Sequence, residues 1–298
     1  MSGRNSASAH LTSSVGALRR AILDFGRHGL RPLPWRATRD PWSVLVSETM
    51  LQQTQAARVV EPYRRFLARF PTAAACAGAT AGDVLRAWHG LGYNRRALNL
   101  HRAATVLLER HGGTVPADLA ALQALPGVGP YTARAVLAFA FEVRVGVVDG
   151  NVGRVLGRAV AGRRLNAGEA QALADALVPA RQAWLWNQSL MEVGATRCHS
   201  RVPDCGRCPL AARCAWHRAG HPSPDPGASS ARQAPFPGSD RQGRGRLVAA
   251  LRRGPVEPAE LARVAGWPED PRRAVAVAGA LVAEGLACRR PDGTLVLP

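Results

Sequence analysis

Four cysteines crowd into seventeen residues, CHSRVPDCGRCPLAARC, at Cys198, Cys205, Cys208 and Cys214. No other feature restricts the fold as much. The first fourteen residues are polar and Ser-rich, without the apolar run of a secretory signal. Clustered cysteines in such a chain argue for a metal centre in a reducing compartment rather than a disulfide framework. Cys76 and Cys288 stand apart. The spacing is C-x6-C-x2-C-x5-C. Four thiolates so placed bind Zn²⁺ or a [4Fe–4S] cluster, and spacing alone does not choose between them.

Charge narrows the partner. Of 298 residues, Lys and Arg number 39 and Asp and Glu 21, a formal net charge of +18. That balance points to nucleic acid. A membrane surface would need a basic amphipathic anchor or a long apolar run, and the sequence shows neither. All 39 basic residues are arginine. No side-chain amine is therefore available to form a Schiff base.

Apolar spacing near 3.6 residues predicts a mainly α fold. Helices are expected at 15–26, 43–60, 63–70, 80–88, 95–111, 116–124, 131–141, 152–161, 168–177 and 183–193, with Pro62 between the second and third. Residues 221–240 (HPSPDPGASSARQAPFPGSD) read as a Pro-, Ser- and Gly-rich linker. The expected organisation is a disordered tail over 1–14, a main domain over 15–220, the linker, and a basic module over 241–298. In that module, helices at 241–252, 258–265 and 270–284 and a hairpin turning at Asp292-Gly293 predict a winged-helix-like fold.

The stretch LPGVGPYTARAV (125–136) places a Gly-x-Gly turn at the start of a helix, where Gly127 to Gly129 offer backbone N–H groups to a phosphate. With it stand LPWR (33–36), SETMLQQTQ (47–55), GLGYNRRALNLH (90–101), VDGNVGRVLGR (148–158), NQSLMEVGA (187–195) and the cysteines. In this order, over residues 17–214, the chain resembles the helix-hairpin-helix DNA glycosylases that carry an iron–sulfur cluster. It is most similar to their adenine-specific branch, the MutY-type adenine glycosylases. The resemblance implies a six-helix barrel module over 34–140 and a cluster module built from 15–33 with 141–220. It implies one [4Fe–4S] cluster on Cys198, Cys205, Cys208 and Cys214. It also implies a monofunctional enzyme of base-excision repair. Such an enzyme flips adenine mispaired with 8-oxoguanine or guanine out of double-stranded DNA, hydrolyses its N-glycosidic bond and leaves an abasic site. A monomer in the bacterial cytoplasm, associated with the nucleoid and not with a membrane, is expected.

Two carboxyls can divide that chemistry if their surroundings push their pKa values apart. Glu48 lies in VLVSETML, among apolar neighbours that favour its protonated form. Asp149 lies where a helix begins, a position that favours the anion. By resemblance Glu48 is the general acid, Asp149 the second catalytic carboxylate, and Asn151 a residue that positions the reacting groups. The resemblance also explains Tyr131. In bifunctional relatives of the endonuclease III branch the matching hairpin residue is a lysine that attacks the sugar; a tyrosine cannot make that imine. Gln52 and Tyr93 match wedge residues, with Leu51, Gln53 and Thr54 near the orphan base. Trp35 and Arg36 match the adenine pocket, Glu192 is expected at the adenine amino group, and Gly127 and Gly129 at a DNA phosphate.

The likeness ends before the C-terminus. The best-described members carry a larger C-terminal domain related to Nudix hydrolases, whereas the stretch after the linker has the winged-helix pattern. Its arginines, Arg241, Arg244, Arg246, Arg252 and Arg253, are candidates for DNA contact. Two other readings stay open on the residues alone: a thymine- or pyrimidine-specific glycosylase of the same fold, and a metal-containing DNA-binding regulator.

Overall fold

The computed structural model describes residues 3–227 and 235–298, with side chains from residue 15. Residues 228–234 of the expected linker and the first two residues of the expected tail lie outside the described residues. In chain order the helices are α1 (Gly3–Gly29), α2 (Pro41–Leu51), α3 (Ala56–Arg69), α4 (Ala73–Ala77), α5 (Ala81–Ala87), α6 (Arg95–His111), α7 (Leu119–Gln123) and α8 (Pro130–Phe139). They continue as α9 (Gly150–Leu156), α10 (Ala167–Leu177), α11 (Ala183–Thr196), α12 (Ala215–Arg218), α13 (Asp240–Leu251), α14 (Leu261–Ala265) and α15 (Pro271–Ala283). Two short strands, β1 (Cys288–Arg289) and β2 (Leu295–Val296), pair antiparallel. The chain is mainly helical. Among the described residues no helix is long and apolar enough to cross a membrane.

Side-chain caps set seven of the fifteen described helix starts. Asp40, Thr72, Thr80, Asp118, Asp149 and Asp270 each accept a backbone N–H from the first turn that follows. Asn166 and Glu169 form a reciprocal capping box on α10. Two boundaries differ from the expectation. The first helix begins at Gly3, inside the stretch expected as a disordered tail, because its backbone hydrogen bonds continue the α1 ladder without a break. The break after α2 falls at Gln52–Gln55, and Pro62 lies inside α3. A proline inside a helix forfeits one hydrogen bond. The chain accepts that loss because the polar QQTQ run is held as a loop by contacts described below.

The described chain forms two compact units, residues 3–32 with 130–227 and residues 33–129 with 235–298. In the first, Leu18 and Ile22 of α1 share a core with Val152, Val155, Leu156, Trp186, Leu190 and Val193. Two glycines permit its close approaches. A Cβ on Gly26 would fall 1.8 Å from Ser189 Oγ, and one on Gly194 would fall 2.6 Å from Asn151 Cβ and 3.0 Å from the Asn151 carbonyl oxygen. After α9 the chain makes a π turn over Gly157–Ala161.

In the second unit α2 is buried along its length, from Trp42 through Met50. Such a helix sits inside a core rather than on a surface. Trp42 Nε1 donates to the Phe70 carbonyl at 3.0 Å, and Phe66 packs edge-on against Phe70 and Trp88. The C-terminal module of this unit follows the winged-helix order. Its α13 leads to Val256, which bridges Leu295; α14, α15 and the β1–β2 hairpin follow. The hairpin turns at Asp292-Gly293, with Gly293 at φ 86°.

Because Gly194 packs against the backbone of Asn151, which cannot yield as a flexible side-chain tip would, Gly194→Ala should destabilise the first unit by about 1–3 kcal/mol. Urea unfolding followed by tryptophan fluorescence would read this as a lower midpoint.

Candidate active site and cysteine centre

Asp149 caps α9. Its Oδ1 accepts the Val152 N–H at 2.7 Å and its Oδ2 accepts from Asn151 Nδ2 at 3.0 Å. Asn151 Oδ1 in turn accepts from Arg154 Nη2 at 2.7 Å. The same guanidinium reaches the Gly194 carbonyl at 2.8 Å and, through Nε, the Cys198 carbonyl at 2.6 Å. A continuous set of hydrogen bonds therefore runs from a half-buried carboxylate to the start of the cysteine loop. The arrangement fixes both oxygens of Asp149 at a helix N-terminus, where the peptide dipoles favour negative charge.

Glu48 is 3% exposed on α2, beside Val44, Leu45 and Met50. Asp149 and Glu48 belong to different units.

The expected wedge residues lie on two loops of the second unit. Leu51–Thr54 closes with a Thr54 N–H bond to the Leu51 carbonyl at 3.1 Å. Gln53 there and Tyr93 in the other loop adopt φ 55° and 53°, the left-handed region that side chains with a Cβ rarely occupy. Tyr93 is 46% exposed. Between the loops sits buried Arg96, which sequence reasoning missed. Its Nη1 donates to the carbonyls of Thr49, Met50 and Gln52 at 2.9, 2.8 and 2.6 Å. Its Nη2 donates to Thr54 Oγ1 at 3.0 Å and to the Gly92 carbonyl at 2.9 Å. The guanidinium also lies 5.6 Å from the Trp88 ring centroid and 5.4 Å from that of Tyr93. Burial lowers its pKa to about 10, so it stays charged at neutral pH.

Trp35 is buried in a 3-10 turn (Pro34–Arg36), edge-on to Tyr63 at 5.6 Å; Arg36 is half-buried beside it in sequence. In the hairpin, Gly127 has φ 77° and a Cβ there would meet Asn99 at 2.7 Å, whereas Gly129 faces open space. Tyr131 stands in the first turn of α8, half-buried. Glu192 is fully buried, and its carboxylate takes a two-pronged ion pair from Arg31 at 2.5 and 3.1 Å. The structure thus gives this group a protein partner that the sequence reading did not include.

Cys198, Cys205, Cys208 and Cys214 line one cleft with Leu210, Trp216 and His217. Arg158 lies against it, donating to Cys198 Sγ at 3.4 Å and to the His199 carbonyl at 2.7 Å while paired with Asp225. Among the described residues the Cys205 sulfur and the ring nitrogens of His217 and His221 lie within 4.8 Å of one another. The histidines are a second omission of the sequence reading. Thiols converging on one cleft with imidazoles at its edge form a donor set that suits zinc or iron–sulfur chemistry.

Arg96→Met should remove the donor to six acceptors, the Tyr93 carbonyl at 3.4 Å among them, and lower stability by about 3 kcal/mol, read as an earlier urea transition. Arg96→Lys should recover only part of it, since an ammonium has three donors and no fork.

The chain matches the HhH-GPD superfamily base excision DNA repair protein family over residues 46–180, which include Glu48, the hairpin and Asp149. It is 48% identical over 286 residues to an adenine DNA glycosylase of Mycobacterium tuberculosis (strain ATCC 25618 / H37Rv), covering 93% of this chain and 92% of that one. It is 42% identical over 282 residues to an adenine DNA glycosylase of Mycolicibacterium smegmatis, covering 93% and 94%. Among solved structures, a thermostable thymine-DNA glycosylase aligns with a TM-score of 0.67 at 30% identity, over 70% of this chain and 99% of that one. A likeness that runs nearly end to end, and that takes in the capped aspartate, the buried glutamate and the hairpin, places this chain in the adenine DNA glycosylase family of the HhH-GPD superfamily.

Proposed function

We propose that the chain is a monofunctional adenine DNA glycosylase that removes adenine mispaired with 8-oxoguanine or guanine, working as a monomer on nucleoid DNA in the cytoplasm. The observation that carries this is the burial of Glu48. A titratable carboxyl 3% exposed on a helix buried along its length is screened from water. Chemistry that needs a proton donor away from water accounts for its presence.

The residues divide the work. The target adenine leaves the stack, with Gln52 and Tyr93 filling the gap and Leu51, Gln53 and Thr54 beside the orphan base. Trp35 walls the adenine pocket, Arg36 hydrogen-bonds within it, and Glu192, paired with Arg31, is the residue at the adenine amino group. Gly127 and Gly129 hold a phosphate. Glu48 gives its proton to an adenine ring nitrogen. The bond from C1′ to the base breaks and its electron pair leaves with adenine. Asp149, with both oxygens fixed by Val152 and Asn151, opposes the charge of the oxocarbenium ion. Water adds at C1′ and its proton passes to the Glu48 carboxylate, restoring the acid. Tyr131 cannot form an imine, and the chain has no lysine, so the sugar–phosphate strand stays intact. The module boundaries expected from the sequence, with 34–140 and 15–33 with 141–220 as the two halves of the enzyme, belong to the same reading.

Cys198, Cys205, Cys208 and Cys214 would hold a [4Fe–4S] cluster. Bound there, the cluster supplies iron–thiolate bonds that tie the loop over 198–214 together. Arg154 then links the backbone of that loop to Asn151 and Asp149.

Three outcomes are expected. Glu48→Gln should slow single-turnover adenine release by about two to four orders of magnitude while leaving binding to the mispaired duplex intact; wild-type rates in this variant would remove Glu48 from the acid's role. An end-labelled A:8-oxoguanine duplex should be cut only after hot alkali, and release from T:G and oxidised-pyrimidine duplexes should be far slower. Cutting at neutral pH would disprove the monofunctional reading. Purified protein should be brown, with iron and acid-labile sulfide in equal amounts, and Cys208→Ser should lose both; stoichiometric zinc instead would reassign the centre.

A further inference from the structure

Arg252 closes the C-terminal end of α13 and points into the rest of the second unit. Its Nε donates to the Leu85 carbonyl at 2.8 Å and its Nη2 to Asn94 Oδ1 at 2.7 Å. Asn94 is the N-cap residue of α6 and directly follows Tyr93. An asparagine at that position ordinarily caps its own helix. Here its side chain makes no cap bond within α6 and accepts from Arg252 instead.

Neighbouring contacts join the same two parts of the unit. The Gly82 N–H, at the start of α5, donates to the Pro298 carbonyl at 2.7 Å. Glu284, just past α15, accepts from Arg244 at 2.6 Å and lies 4.0 Å from Arg95 Nε. Three of the arginines that the sequence offered for DNA contact are therefore engaged within the protein: Arg244 with Glu284, Arg246 with the Ala265 carbonyl, and Arg252 as described. The outward side of α15, the helix that would read a groove in a winged-helix protein, carries Arg272 in its first turn and then Val275, Ala276, Gly279, Ala280 and Ala283. Beyond Arg272 these side chains offer no hydrogen bonds to base edges.

We infer that the C-terminal module is a brace for the wedge loop: Arg252, through Asn94, holds Gly90–Asn94 in the bent form that presents Tyr93 to DNA. Arg252 and Asn94 are positioning residues, and the inference rests on the wedge role proposed for Tyr93. A loop that places a left-handed tyrosine needs its following residue fixed, because misplacement by about 1 Å can cost a hundredfold in rate. Arg96 fixes the loop from the core side; Arg252 fixes it from the module.

The test uses the full chain with Arg252→Met, Asn94→Ala, the double variant and Tyr93→Ala. Duplexes carry 2-aminopurine at the target position opposite 8-oxoguanine, so that stopped-flow fluorescence reports extrusion directly. Arg252→Met and Asn94→Ala should each slow extrusion by about tenfold, with affinity for undamaged duplex nearly unchanged and, for Asn94→Ala, the melting temperature as well. The double variant should be no slower than the slower single one, because both break one connection. Wild-type extrusion in Asn94→Ala and Arg252→Met, with Tyr93→Ala defective, overturns the brace and leaves the wedge reading standing. Additive losses also overturn it. Normal extrusion in Tyr93→Ala removes the wedge reading and the brace with it. Should Arg252→Met not fold, Asn94→Ala decides alone, since it leaves the bond to Leu85 in place.

Discussion

One buried guanidinium organises the two loops of the second unit that carry Gln52 and Tyr93. Arg96 brings together the end of α2 and the loop before α6, which are distant in sequence, through six acceptors it holds at once. The end of a helix leaves carbonyls without intrahelical partners. Here the carbonyls of Thr49, Met50 and Gln52, at the end of α2, are collected by a single cation. An arginine suits this because its donors spread in a plane and its charge survives burial. Everything attributed to the two loops, from the turn at Gln53 to the presentation of Tyr93, depends on that cation being there.

The first unit solves a similar problem with a chain of smaller bonds. Arg154 joins Asn151, Gly194 and the Cys198 backbone, and Asn151 joins Asp149. Gly194 lets α11 approach closely enough for Arg154 to span the gap. In both units an arginine bridges backbone carbonyls next to a candidate site residue. This gives the lysine-free composition a structural meaning: the fork geometry of the guanidinium is used for bridging carbonyls as well as for charge.

Much of the fold was legible. Capping residues followed by apolar periodicity located most helices, including the 95–111 helix to the residue. The hairpin strands fell around Asp292-Gly293 as the dipeptide indicates. The boundary at Gln52–Gln55 was not legible, because four polar residues can as well be the outer face of a helix as a loop, and Pro62 looked like the better breaker. The arginines at 96 and 154 were hidden by abundance: in a chain with 39 basic residues, all arginine, nothing local marks the few that turn inward. The ion pair of Glu192 was not legible because its partner, Arg31, is far away in sequence. The pairing of His217 and His221 with Cys205 needed the fold of the loop after the last cysteine.

The left-handed backbone at Gln53 and Tyr93 has an evolutionary consequence. Glycine would ease both positions, so unguided drift toward stability favours it there. Glycine would also erase the side chains that the proposed function puts to use. On that reading these two sites set local comfort of the chain against its use.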